Sequence, residues 1–166
     1  MIVLATSTEV AIATTTLGSA ASSITFSSIP STYTDLRLVL TATNTASLDL
    51  NLTYNGDTAT NYSFTRVNGN GSVAASSTSS SQNYIRANFF TMAASEPYLL
   101  TMDLFSYAGS TYKTCLISNA EDRNGTGGVC ARVALWRSTS AITNITFTTS
   151  TSTFATGTTA TLYGIL

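Results

Sequence analysis

Apolar and polar residues alternate with a period of two along most of this chain. Ile24 and Phe26 open the clearest early run, which stops at Ile29-Pro30, where proline removes a ladder donor. Leu36, Leu38 and Leu40 point one way with Arg37 and Val39 the other. Leu48, Leu50, Leu52 and Tyr54 then alternate with Asp49, Asn51 and Thr53. Asn44 to Ser47 reads as a short hairpin loop between these two strands, and Asn55-Gly56-Asp57 as a turn leading to a strand marked by Tyr62, Phe64 and Arg66. Further strands are expected at Tyr84 to Phe90, Tyr98 to Tyr107, Tyr112 to Asn119 and Val129 to Trp136. Near the C-terminus, Ile145 and Phe147 alternate with Asn144, Thr146 and Thr148, and Leu162 and Gly164 with Tyr163 and Ile165; Thr151 to Gly157 turns the chain between them. Nothing has the spacing of a long amphipathic helix. Roughly nine or ten short strands with turn signals between them predict an all-β protein, a single-domain antiparallel β-sandwich.

Two stretches depart from this pattern. Residues 1–22 are irregular, with only Val10 and Ile12 alternating against Glu9, Ala11 and Ala13. They read either as an N-terminal arm reaching a neighbour or as the first strand of a sandwich domain that spans 23–166. Asn68 to Gln82, NGNGSVAASSTSSSQ, is of low complexity, and its Gly and Ser content predicts a flexible exposed loop.

Composition narrows the classes of function. With 166 residues, one domain is expected. Charged residues are 9% of the chain, against about 25% in ordinary domains, and the net charge is −1, so no nucleic acid and no anionic membrane surface is expected as a partner. Ser and Thr make up about a third of the residues, so hydroxyls replace charges on the solvent face and copies repel one another little. Met1 to Ala5 is apolar but lacks a basic flank and gives way at once to polar residues, a poor signal peptide; no run approaches the roughly 20 apolar residues of a membrane span.

Candidate chemistry is sparse. The chain has no histidine, which removes the commonest general base and zinc ligand and with them Ser-His-Asp and Cys-His arrangements. The acids, Asp35, Asp49, Asp57, Glu96, Asp103, Glu121 and Asp122, fall mostly in turns or on outward strand positions. Asp103 lies in an otherwise apolar strand, and a salt bridge to an arginine such as Arg86 or Arg132 is expected there. Glu121 to Gly125 clusters oxygen ligands but lacks the alternation of a calcium loop, so a charged hairpin loop is expected. Cys115 and Cys130 lie in consecutive strands, either facing each other across a hairpin or sitting as two buried thiols. No catalytic group, metal or cofactor is expected, and the chain is not expected to be an enzyme. The aromatics Tyr62, Tyr84, Tyr107, Tyr112 and Trp136 can serve as core, as anchors of a subunit interface or as a platform that stacks on sugars. Trp136 with Arg137 is the first choice for an interface, followed by Tyr62, Tyr84 and Tyr107.

A set of short blocks, in order, carries a resemblance. They are Tyr33-Thr34-Asp35-Leu36-Arg37-Leu38, Asn55-Gly56-Asp57 with Asn61-Tyr62-Ser63, Trp136-Arg137-Ser138-Thr139, Ile142 to Thr146, Phe154 to Gly157 and Leu162 to Ile165. Together they span roughly residues 23 to 166 and resemble a family of tailed-phage virion structural proteins. The resemblance implies a jelly-roll version of the sandwich and a place in the virion, assembled in the host cytoplasm. Within that place, a single domain with no fibrous repeats favours a capsid decoration or cement protein that binds the major capsid protein or other virion proteins as a homo-oligomer, a trimer or dimer. The alternative it leaves is a tail or fibre module that binds a host-surface glycan.

Overall fold

The computed structural model describes residues 8–47, 49–88, 92 and 94–166. Among them lie twelve strands and no helix, arranged as two antiparallel sheets packed face to face, an all-β sandwich. The strands are β1 (Glu9–Thr16), β2 (Ser23–Phe26), β3 (Asp35–Ala42), β4 (Leu50–Tyr54), β5 (Tyr62–Gly69), β6 (Ala74–Gln82), β7 (Ile85–Arg86), β8 (Tyr98–Phe105), β9 (Lys113–Asp122), β10 (Gly127–Trp136), β11 (Ile145–Thr149) and β12 (Thr159–Ile165). The large sheet has the order β1-β12-β3-β8-β9-β10-β5-β6 and the small one β2-β11-β4-β7. The topology does not establish the jelly-roll order implied by the resemblance, because β8, β9 and β10 follow one another as a meander in one sheet.

The core lies where the alternating residues of both sheets meet. Leu36, Leu38 and Leu40 of β3, Leu100, Met102 and Leu104 of β8, and Ala160 and Leu162 of β12 face Ile24, Phe26, Leu50, Leu52, Ile145 and Phe147 of the small sheet. Each of these side chains is removed from water, and an aliphatic or aromatic side chain so buried contributes about 1.5–3 kcal/mol before entropy is counted. Gly164 also faces inward, and glycine is required there because a Cβ would overlap the ring of Tyr33.

One expected hairpin and one expected turn are crossings between sheets. Asn44 to Ser47 does not close a hairpin: β3 belongs to the large sheet and β4 to the small one. Likewise β11 and β12 lie in different sheets, so the chain between them crosses the sandwich. The two crossings are tied together at one corner. Phe154, fully buried, forms isolated bridges with both Ala21 and Asn44, while Thr45 N–H donates to Thr153 O at 3.1 Å and Ala155 N–H to Thr43 O at 2.8 Å. A period of two reports which side of a strand is apolar, and that side suits either sheet equally.

The Ser-rich stretch differs most from expectation. Instead of a loop, Asn68 to Gln82 holds the end of β5, a tight turn and the edge strand β6, which pairs antiparallel with β5 from Gly69↔Ala74 to Tyr62↔Gln82. Asn70 organises the turn, its Oδ1 accepting from Ser72 N at 3.0 Å and Val73 N at 2.8 Å. Serine and threonine suit an edge strand wet on both sides, since their hydroxyls stay solvated while the backbone pairs with β5. Among the described residues of Tyr84 to Phe90, only Ile85–Arg86 forms a strand; Phe89 and Phe90 lie outside the described residues, as do Leu48 and Met1 to Ala5. At the N-terminus, β1 is the opposite edge of the large sheet, paired with β12 from Glu9↔Ile165 to Thr16↔Thr159.

Candidate functional site

Trp136, Tyr62 and Tyr54 form one aromatic cluster inside the sandwich. Their ring centroids lie 5.7 Å (Tyr54 to Trp136), 6.3 Å (Tyr54 to Tyr62) and 6.4 Å (Tyr62 to Trp136) apart, with the last pair stacked. The Tyr54 hydroxyl donates to Cys115 Sγ at 3.3 Å, and the polar tips of Trp136 and Tyr62 are satisfied by the turn that follows β4. Trp136 Nε1–H donates to Asp57 Oδ2 at 2.6 Å, and Tyr62 O–H donates to Asp57 O at 3.0 Å while accepting from Tyr54 N at 3.1 Å. That turn has Asn55 and Gly56 both at positive φ, 52° and 69°, as a type I′ turn requires. Asn55 Oδ1 also accepts from the backbone of Thr143 (2.9 Å) and Asn144 (3.0 Å), clamping the turn to the approach of β11.

Three of the five rings named as interface or sugar platform therefore offer no surface to a partner. Trp136, Tyr62 and Tyr107 are buried, the last with its hydroxyl donating to Pro30 O. Packing decides this: each ring is on the inward phase of its strand or under a loop, with its polar tip bonded internally. Tyr84 is half-buried and Tyr112 exposed, and the structure does not bring them together with the buried three. Arg137 is exposed, with its guanidinium donating to Thr60 O.

Asp57 couples this cluster to pH. Desolvation pushes its carboxyl up, but hydrogen bonds from Asn61, Trp136 and the Ala59 N–H together outweigh it and hold the carboxyl below its ordinary value. A carboxylate depressed on folding stabilises fully above its unfolded value, near pH 4, and that contribution is lost as pH falls through the lower folded value. The Asp57→Asn variant is expected to show a flatter dependence of Tm on pH between about 2 and 4 than the parent chain. Trp136 emission, from the only tryptophan, should report the same difference, and parallel Tm profiles would show that Asp57 does not carry it.

The acids are spent on ion pairs and turns. Asp103 pairs with Arg37, not with Arg86 or Arg132: Arg37 is its directly opposite residue across β3 and β8, with Nε donating to Oδ1 at 2.6 Å, while Nη1 reaches Glu9 at 2.6 Å. Arg86 pairs with Asp49 at 2.5 Å. Glu121 and Arg123 pair at 3.0 Å in the β9–β10 hairpin, where Asn124 N–H donates to Asp122 Oδ1 at 2.8 Å. Among the described residues no three of His, Cys, Asp and Glu come close enough to hold a metal ion. Cys115 and Cys130 are both buried free thiols. The register places Cys115 opposite Ala134 and Cys130 opposite Asn119, so the two do not face each other. Burial pushes the Cys115 thiol up to about 11, away from reactivity.

Arg132 is the most unusual interior group. It is fully buried on β10 beside Arg66 of β5, its guanidinium 4.9 Å from the ring centroid of Phe64. Nη2 donates to Asn88 O at 3.1 Å, whereas Nε and Nη1 have no hydrogen-bond partner. Desolvation foremost lowers its pKa to about 10, with the Cys130 and Tyr98 groups acting in the opposite sense to Arg66 and Arg86.

A second group of residues lies where the sequence analysis named none. On the outer face of the large sheet, Val67 (β5), Leu99 and Phe105 (β8), Leu116 (β9), and Val129 and Val133 (β10) are all more than two-fifths exposed. They sit on four adjacent strands, with Val133 directly opposite Leu116, and Ala120 between Val129 and Leu99. A shallow hollow of about 510 Å³ runs across this surface, lined among others by Val67, Leu99, Val129 and Ala131. The signal was in the sequence: in GGVCARVALW of β10 the phase opposite Trp136 is Gly127, Val129, Ala131, Val133 and Leu135, with no polar side chain, as on a strand face that is covered.

Compared with models of known protein families, with curated proteins and with solved structures, the chain matches none of them.

Proposed function

We propose that this chain is a structural component of a bacteriophage virion, a capsid decoration or cement protein that binds the outer shell and stabilises it. The ordered sequence blocks that resemble tailed-phage virion proteins suggest the place. The observation that supports a role in assembly is how little free charge the surface carries. Arg37, Arg86 and Arg123 are held in ion pairs, Arg132 and Lys113 are buried, and the remaining surface is largely hydroxyl and aliphatic. Such a surface is suited to association through neutral contacts, with each bound copy stabilising the shell by mass action. The glycan-binding alternative loses most of its stacking platform, since Trp136, Tyr62 and Tyr107 are buried.

Quantitative mass spectrometry of purified virions tests the reading. A copy number of the same order as the major capsid protein is expected, because only the shell offers so many equivalent sites. A ratio far below it would move the chain to the tail, and its absence from the particle would overturn the virion reading.

A further inference from the structure

Exposed apolar residues on a monomer are ordinarily scattered, and a contiguous patch marks a surface that something covers. Here six large aliphatic or aromatic residues gather on one face of β5, β10, β9 and β8, and the neighbouring outward positions are small or hydroxylic: Ala131, Ala120, Thr65, Thr101 and Ser118. The outward residues of these four strands include two charged groups: Asp103, already neutralised by Arg37, and Asp122 at the far end of β9, beyond the apolar residues. The apolar centre of the patch therefore has no unpaired charge to attract a basic or an acidic partner, and none to repel an identical centre.

We propose that this face is the interface of a two-fold symmetric dimer, in which the large sheet of one copy packs against the large sheet of a second copy of this chain. A face whose central acid is paired, whose unpaired acid Asp122 lies at one margin, and which is otherwise apolar at its centre and hydroxylated around it, is complementary to itself. A two-fold contact asks for that, since each residue meets the same patch on its partner. The size fits. The four strands of the patch with their flanking neighbours β3 and β6, at about 4.8 Å spacing and seven residues at about 3.4 Å rise, give roughly 700 Å² in projection, of which the apolar patch is about two thirds. A stable interface of standard size buries about 800 Å² per partner. The two outer faces would stack about 10 Å apart, as sheets do in a sandwich, making a four-layer particle with β8–β9–β10 at its centre. Leu116 and Val133, adjacent across β9 and β10, would lie near the middle of the contact.

The proposal stands whether or not the chain belongs to a virion, and its test in solution is separate from particle composition. Sedimentation equilibrium of the full chain between about 1 and 100 µM is expected to show a dimer, in the affinity range of standard interfaces. Leu116→Lys and Val133→Lys should each weaken association at least about 100-fold, because each buries a charge opposite its own copy. Both sites are exposed in the single chain, so Tm and Trp136 emission should stay close to the parent values. Should a lysine variant fail to fold, Leu116→Cys replaces it. Near a two-fold axis it should form an intermolecular disulfide on mild oxidation, whereas Thr14→Cys on β1 should not. A parent chain that stays monomeric throughout would overturn the proposal, even if the lysine variants lost binding to a capsid; the face would then belong to the capsid contact. A dimer indifferent to Leu116→Lys, or a trimer, would also overturn it, because two flat faces stack in pairs.

Discussion

Trp136→Ala is expected to cost about 3–5 kcal/mol of folding stability, the range of a large aromatic removed from a well-packed core. The ring is 3% exposed and packs between Tyr54 and Tyr62, so truncation leaves a cavity that three strands in two sheets would have to collapse to fill. It also strips from Asp57 the hydrogen bond that Nε1–H donates, and a bond to a charged acceptor is worth about 1.5–3 kcal/mol. In a chain of this length each kcal/mol shifts Tm by about 2–4 °C, so a fall on the order of 10 °C should appear by calorimetry. Trp136→Phe keeps most of the packing and loses the donor, and should fall between the two. A Trp136→Ala protein with nearly unchanged Tm but altered association would instead make the ring an interface anchor, against its observed burial.

Arg132→Met is expected to act in the opposite direction, leaving stability unchanged or raising it by about 1–3 kcal/mol. A guanidinium whose pKa falls to about 10 on burial carries a penalty on the order of 3 kcal/mol at neutral pH. Little offsets it: one hydrogen bond to Asn88 O and the face of Phe64, with Nε and Nη1 unbonded and Arg66 directly opposite. Methionine occupies similar length, brings no charge and adapts to an irregular site. Arg132→Ala is the control, since it removes the charge but opens a cavity and should be the less stable of the two. Chemical denaturation with a single transition would measure both. A loss of more than about 2 kcal/mol for the methionine variant would show that the guanidinium is stabilised in the fold by more than these contacts.

Much of the sandwich was legible because a half-buried strand writes its geometry directly into the sequence. Leu36, Leu38 and Leu40, or Leu50, Leu52 and Tyr54, can all reach one core only if the backbone is extended. The Asn55-Gly56 turn was legible for an equally local reason, since both residues adopt positive φ readily. The Ser-rich strand β6 was not, because its pairing with β5 supplies the order that its composition withholds. The fates of the aromatics were also hidden: tyrosine and tryptophan suit core, rim and interface alike, and only their neighbours decide among these. Asp103 illustrates the same limit. Its position in an apolar strand marked it as paired, but selecting Arg37 over Arg86 or Arg132 requires the β3–β8 register.

By itself the sequence determined that this protein is all-β, where most strands run, which side of each faces the core, and that no histidine-based chemistry is available. Those properties follow from residue type and local spacing. Tertiary structure alone decided that β3 and β4, and β11 and β12, belong to different sheets; that Trp136, Tyr62 and Arg132 are interior; and that six apolar side chains converge on one outer face. Each depends on which strands lie side by side, and that choice is made by the packing of residues far apart in the chain, which a period of two cannot encode.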